Sequence, residues 1–515
     1  MSLARPIATV GAFTMASRVL GFVRDMLIAA YLGAGPVADA FFVAFKFPNF
    51  FRRLFAEGAF AAAFVPMFAG TVAARGKAAA RAFAEDALAV LLAALLALVI
   101  ACEFGMPWVL RIVAPGFADE PERFGLAVEF ARVTFPYLVF ISLVSLQGGV
   151  LNSLDKFAAV AATPILLNLC LIGALLGLTR VLPTAGHAAA WGVLAAGLVQ
   201  FLFLAVVCAR ADMALRLRWP RLSPDARTLL KRMAPVALGS GAVQINLVID
   251  VMLASLLAAG SISWLYYADR VYELPLAVIG IAIGTALLPA MSRQVRLGDE
   301  AAALATQNRA LEAAALLTLP ATAALIVLAQ PIVATLFERG AFSATDAQAT
   351  AAALIAYTLG LPAYVAVKVL APAFYARADT KTPVKIAVLC VATNSVLGFV
   401  SMQYVGHIGL AGATAFSATL NAGLLLRALH KRGQFVASAR LRQRLPRHVL
   451  ASAATALVLW LALPLAGPYL AGPGTLRFVA LAGLVGLGLF AYGAAALIFG
   501  AARLGDVRGL LKRGT

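Results

Sequence analysis

The residues able to do chemistry are arginines and carboxylates set inside long apolar runs. Arg18, Arg24 and Asp25 stand in the first run, within Ser17-Arg18-Val19-Leu20-Gly21-Phe22-Val23-Arg24-Asp25. The second run carries Asp39, Lys46, Asn49, Arg52, Arg53 and Glu57, and the eighth carries Ser263, Asp269, Arg270 and Glu273. A central charge costs roughly 2.5–3.5 kcal/mol on membrane-insertion scales, so these groups must face protein or water. Arg18 and Arg24, six residues apart, lie ~120° from each other on a helix and can border one broad cavity. Asp269 and Glu273 are one helical turn apart.

One reading is ion pairing that only staples helices together: Arg24–Asp25, Arg53–Glu57 and Arg270–Glu273. In the first two runs, however, the cations Arg18, Arg24, Lys46, Arg52 and Arg53 outnumber the anions Asp25, Asp39 and Glu57. That surplus leaves a basic cavity in need of an anion, and guanidinium forks match phosphate bidentately. The expected binding set is therefore Arg18, Arg24, Asp25, Asp39, Asn49, Arg52, Arg53, Glu57, Ser263, Asp269, Arg270 and Glu273. The charge pattern reaches an anionic, phosphorylated substrate and does not identify it. Asp250, deep in the seventh run, reads either as a proton or cation site for coupling, or as a hydrogen-bonded core group or partner of Arg270. Lys368 in the tenth run either acts or snorkels.

The elements that position these groups follow from composition. The chain has 515 residues, 63% hydrophobic and 13% charged, with a mean hydropathy of +0.92. That is too apolar for one buried core. It fits many helical spans of about 20 residues each, and unalternating Leu/Ala/Val runs exclude a barrel. About 14 spans are predicted, roughly 7–33, 38–70, 84–110, 128–152, 158–178, 187–208, 233–259, 262–291, 312–337, 348–375, 383–403, 409–429, 449–471 and 476–500. The net charge of +19 sits in loops between apolar runs, which points to orientation and anionic lipid, with no nucleic-acid partner. Four cysteines lack CxxC spacing, four histidines lack metal-ligand spacing, and there is no phosphate loop or nucleophile elbow. No metal or cofactor is expected, and charge inside a bilayer points to moving a substrate rather than transforming one.

An even span count puts both termini on one side. By sequence, that side holds about 29 Lys/Arg, the other about 5, and the spans about 8, which places both termini in the cytoplasm. The chain also repeats weakly at roughly 225 residues. Asp25-Met26-Leu27 recurs as Asp250-Val251-Met252-Leu253, with Gly35 and Gly260 following. Phe135-Pro136-Tyr137 recurs as Leu361-Pro362-Ala363-Tyr364, and Asp155-Lys156 as Asp379-Thr380-Lys381. Six spans per copy give two lobes of the same orientation, related by a pseudo-two-fold along the membrane normal. The expected division is an N-terminal lobe over 1–210, a basic linker over 211–232, and a C-terminal lobe over 233–430. A second basic linker over 431–448 then leads to two added spans and a tail over 449–515.

Several stretches together carry a family resemblance. They are the nine residues from Ser17 to Asp25, Gly33-Ala34-Gly35, Ala38-Asp39-Ala40-Phe41, and Pro48-Asn49-Phe50-Phe51-Arg52-Arg53-Leu54-Phe55-Ala56-Glu57-Gly58. Ala114-Pro115-Gly116-Phe117, Trp264-Leu265-Tyr266-Tyr267-Ala268-Asp269-Arg270 and Asp379-Thr380-Lys381-Thr382-Pro383 complete the set. The pattern resembles the MurJ (MviN) family of lipid II flippases, in the multidrug/oligosaccharidyl-lipid/polysaccharide exporter superfamily. The resemblance implies an inner-membrane transporter that moves the undecaprenyl-diphosphate-linked peptidoglycan precursor outward, with cell-wall synthesis proteins as further partners. It implies that Arg18, Arg24, Arg52 and Arg270 are the cavity arginines, with Asp39 nearby, and that the last two spans hold the polyprenyl tail. Coupling to membrane potential or to a monovalent cation stays open. The alternatives are a drug or cation antiporter, which needs acids where this cavity is basic, and a flippase for another polyprenyl-linked glycan. A membrane glycosyltransferase or phosphatase would need converging acid/base or metal-binding groups.

Overall fold

The computed structural model describes residues 4–52 and 60–501. Every regular element among them is helical. The order is α1 (Ala4–Leu32), α2 (Pro36–Phe51), α3 (Ala61–Val113), α4 (Pro121–Thr134), α5 (Tyr137–Asn152), α6 (Phe157–Leu178), α7 (Ala185–Arg210) and α8 (Pro224–Ser255). It continues with α9 (Ser261–Arg296), α10 (Glu300–Val327), α11 (Ala329–Phe337), α12 (Ala344–Thr358), α13 (Leu361–Tyr375), α14 (Lys381–Lys431), α15 (Ala439–Leu470) and α16 (Gly474–Ile498). A short 3-10 helix over Pro115–Asp119 precedes α4. In lipid only intrahelical bonding satisfies such a backbone, so apolar runs become helices. Breaks fall where the sequence supplies a cap or permits positive φ. Pro36 opens α2 behind Gly35, and Pro224 opens α8 behind Ser223, whose hydroxyl accepts from Ala226 N.

Unbroken, the 53 residues of α3 would run ~80 Å, against ~30 Å of hydrocarbon. α3 is in fact two helices meeting at Gly76 (φ 80°), between the second and third apolar runs. α14, 51 residues long, breaks at Val405 and Gly406, where the sequence separates the eleventh and twelfth runs. Among the described residues, nine helical stretches are long and apolar enough to cross a membrane. In that figure α3 and α14 count once each although each is broken, and α2, 16 residues long, is too short to qualify.

The chain forms two compact units. The first comprises Met1–Ser263 with Arg339–Phe342. In it α6 packs on α1 and α7, α2 on α4, and α3 on α5 and α8. It therefore runs past residue 210, the end expected for the N-terminal lobe. Its core is aromatic: the Phe64 ring stacks with Phe60, Phe68 and Phe83 at 4.9, 5.5 and 5.4 Å. Gly192 of α7 lies where a Cβ would come within 2.8 Å of Ala174, the small-residue approach that membrane helices use in place of a hydrophobic drive. The second unit comprises Trp264–Glu338 with Ser343–Thr515. There α15 packs on α10 and α16, and α14 on α12 and α13.

The weak sequence repeat recurs in the backbone. Positive φ occurs at Gly33 and Gly260, Gly76 and Gly298, Asp155 and Ala378, and Asp212 and Gly433. The separations are 227, 222, 223 and 221 residues. Two loops of the first unit follow the same spacing and are exchanged. Gly116 seats on the end of α8, where a Cβ would meet Ser255 O at 2.2 Å. Gly340 seats on the end of α1, where a Cβ would meet Ala30 O at 2.2 Å, and Ala341 N donates to that same oxygen at 2.8 Å. A side chain fits at neither glycine.

Candidate functional site

The charged segment of α1 presents its two arginines to different surroundings. Arg18 lines a cavity of about 510 Å³ together with Thr14 and Ser17 of α1, Asn152 of α5, and Phe157 and Pro164 of α6. No hydrogen bond or ion pair holds its guanidinium among the described residues. Arg24 is buried and held. Its Nε and Nη2 donate to Asp25 Oδ1 at 3.0 and 2.7 Å, and its Nη1 donates to Asn168 Oδ1 at 2.9 Å. Asn168 also donates to Ser17 O at 2.9 Å, so one α6 amide ties two turns of α1. The stapling pair read from the sequence thus exists at Arg24–Asp25, and Arg24 does not line the cavity that Arg18 does.

Asp39, on the first turn of α2, is fully buried. Its Oδ2 accepts from Arg123 Nη2 and Gly260 N, both at 2.7 Å. Its Oδ1 accepts from Ser263 Oγ at 2.6 Å and Ser263 N at 2.8 Å. The two backbone donors are among the unpaired N–H groups at the start of α9, so a carboxylate from another helix caps it. Arg123 is itself buried, 4.0 Å above the Phe117 ring and within 3.2 Å of Glu120. Sequence reading placed Asp39 and Ser263 in the binding set and missed Arg123. An arginine just after Pro121-Glu122 looks like a loop charge, and its partner is 84 residues away. Sequence reading likewise gave Asn168 no place in the site.

Further along α2, Asn49 Nδ2 donates to Phe45 O, and Arg52 Nε donates to Asn49 Oδ1 at 3.0 Å. Arg53 and Glu57, and so the pair expected between them, lie outside the described residues. In α8, Asn246 donates to Asp250 Oδ2 at 3.0 Å.

In the second unit, Arg270 pairs with Glu273 at 3.0 Å and lies over the Tyr266 ring at 4.8 Å. Arg270 is half-buried and Glu273 exposed, 34% and 47%, whereas Arg24 and Asp25 are at 11% and 4%. Asp269 beside them is half-buried. Lys368 of α13 lies along α9, its Nζ 2.8 Å from where a Gly280 Cβ would be. Outside the spans, Arg432 and then Thr382 hydrogen-bond Asp379 and hold its carboxyl well below the usual carboxylate range. Among the described residues no three His, Cys, Asp or Glu groups converge as metal ligands do. What the arrangement offers is a cavity whose arginine no carboxylate neutralises among the described residues, beside the tied pair Arg24–Asp25.

Known proteins supply the context. A family model described as lipid II flippase MurJ matches residues 28–473. A probable lipid II flippase MurJ from Rhizobium meliloti (strain 1021) is 44% identical, over 100% of this chain and 97% of its own. Among solved structures, one titled lipid II flippase MurJ, inward closed conformation, is 26% identical and superposes with a TM-score of 0.79 over 95% of this chain and 98% of that one. An inward-facing multidrug resistance MATE family transporter of the MOP superfamily reaches a TM-score of 0.66 at 16% identity, over 82% of this chain and 97% of that one, a likeness of fold alone. With match and relatives spanning most of its length, the chain belongs to the lipid II flippase MurJ family.

Proposed function

We propose that this protein is a lipid II flippase of the inner membrane. It moves undecaprenyl-diphosphate-linked peptidoglycan precursor from the cytoplasmic to the periplasmic leaflet by alternating access of two lobes. The observation that carries the reading is Arg18, a cation in a cavity with no carboxylate among its described lining residues. An unpaired guanidinium in a membrane cavity selects an anionic head group, and its fork suits phosphate. The drug-antiporter alternative shares the fold but needs anions where this cavity presents a cation. In this reading Arg24, Arg52 and Arg270 meet the diphosphate as the cavity rearranges, with Asp25, Asn49, Arg53, Glu57, Ser263, Asp269 and Glu273 lining its path. Asp39 holds the thin gate formed by the hairpins at 33–37 and 259–263. The tail stays in lipid along α15 and α16. Both termini face the cytoplasm, as the Lys/Arg distribution supports. Membrane potential or a monovalent cation at Asp250 supplies the drive, and cell-wall synthesis proteins receive the product.

Conditional depletion tests the proposal. Lipid II is expected to accumulate on the cytoplasmic leaflet, and wild type to clear it. Arg18→Ala, Arg24→Ala and Arg270→Ala should insert normally yet fail to rescue. Normal translocation by all three variants would sink the assignment.

A further inference from the structure

A second cavity, about 230 Å³, opens in the first unit between α3 and α8. Its walls are hydrocarbon: Leu91, Ala94 and Leu98 on α3, and Leu229, Leu230 and Met233 on α8. Ala94 and Leu230 are exposed, so the cleft opens outward from the protein, as a site filled from surrounding lipid must. Its α3 wall runs from Ala87 to Leu98, ~16 Å at 1.5 Å per residue, about one leaflet of a ~30 Å hydrocarbon core.

One end of this cleft is basic. Glu85, two residues before Ala87, is buried. Its Oε1 accepts from Arg81 Nε and from the backbone N of Arg216, both at 3.0 Å, and its Oε2 lies 2.6 Å from Arg218. Asp225, next to the lining residue Ala226, pairs with Arg75 at 2.8 Å. With Asp86 beside Glu85, the segments 75–87 and 216–227 hold seven Lys/Arg against three carboxylates, so this end carries a net positive charge. The segment pinned by Glu85 is a strap without regular structure between α7 and α8. It alternates Arg216, Arg218 and Arg221 with Leu217, Trp219 and Leu222, and these three apolar side chains are 67%, 83% and 61% exposed. Exposed Trp and Leu interleaved with Arg at the end of a membrane helix fit the headgroup layer.

We propose that this cleft is a binding site for an anionic phospholipid, with one acyl chain between α3 and α8 and the phosphodiester under the strap at Arg81 and Arg218. A resident phospholipid fits better than the transported lipid. The arginine forks here are already occupied by carboxylates, which leaves charge for a monoanion rather than open forks for a diphosphate. The cleft is also only one leaflet deep. The site stands whether or not the transport proposal does.

The test uses the full chain in phosphatidylcholine vesicles containing a trace of phosphatidylglycerol with a diazirine in one acyl chain. A phosphatidylcholine probe of the same chain serves as comparison. After irradiation and digestion, label is expected on residues 87–98 and 226–233, about fivefold more with the anionic head, the scale of one basic residue near a membrane surface. Ala94→Trp should remove that label while leaving label on α16 intact. Arg218→Gln should keep the label and bring the two probes toward equality. If Ala94→Trp does not insert, competition on the wild type decides, with unlabelled phosphatidylglycerol expected to displace the probe and phosphatidylcholine not. Equal labelling by both heads, label no stronger than on α16, or displacement by a polyprenyl diphosphate and not by phosphatidylglycerol would each overturn the proposal.

Discussion

In the first unit, Asp39 at the start of α2 is tied to Arg123 at the start of α4; in the second, Trp264 at the start of α9 donates to Asp346 at the start of α12 at 2.9 Å. The positions are 225 and 223 residues apart, the spacing of the repeat. The joints share a place and differ in chemistry. Asp39 is wholly buried and receives four donors from three residues. Asp346 is engaged by its own capping box with Ser343 and receives a neutral indole N–H as an addition. A polar tie between the second and fourth helices of each copy is thus common to both. A buried charge pair is specific to the first, where it also fastens the start of α9.

The comparison predicts unequal costs. Asp39→Ala leaves Arg123 buried without its anion and should destabilise the protein by about 3–5 kcal/mol, read as a lowered midpoint of thermal unfolding in detergent. An unchanged midpoint would mean that Glu120 and the Phe117 ring suffice for Arg123. Asp39→Leu combined with Arg123→Met should cost less than Asp39→Ala, because no guanidinium is left buried without its anion, yet more than Ser263→Ala, because Gly260 N, Ser263 N and the Ser263 hydroxyl all lose their acceptor. If the double variant melts as predicted but fails to translocate, the charge serves movement as well as stability. Ser263→Ala removes one hydroxyl donor to the same carboxylate and should cost about 1.5–3 kcal/mol by the same melt. Trp264→Phe should cost only about 0.5–1.5 kcal/mol, because Asp346 keeps its bonds to Ser343. A loss as large as that of Asp39→Ala would erase the distinction between the joints.

Much of this was legible in the chain. Runs of Leu, Ala and Val specify helices on their own, and Gly76, Gly35-Pro36 and Ser223-Pro224 mark their limits locally. The repeat was legible in matched stretches such as Asp25-Met26-Leu27 and Asp250-Val251-Met252-Leu253, but the residue that shares positive φ with Gly260 is Gly33, not the Gly35 that the sequence pairs with it. The pairs Arg24–Asp25 and Arg270–Glu273 were legible because their members lie within one turn. Arg123 was not, since nothing near residue 123 announces residue 39. Glu312 was not either. It binds Arg440 and Arg444 of the linker expected to be a basic loop, at 2.9 and 2.6 Å. Long-range polar ties depend on which helices become neighbours, and periodicity carries no such information.

The exchanged seats of Gly116 and Gly340 are symmetric in space but not in time. Residue 116 is already made when α8 emerges, so the end of α8 meets its seat at once. The end of α1 must wait for Gly340 and Ala341, some 310 residues later, which at about 5–20 residues per second is on the order of 15–60 s of synthesis. For that interval the Ala30 carbonyl lacks its native partner. The first helix to be made is thus held by α6 early, while its far end is among the last points to be fastened.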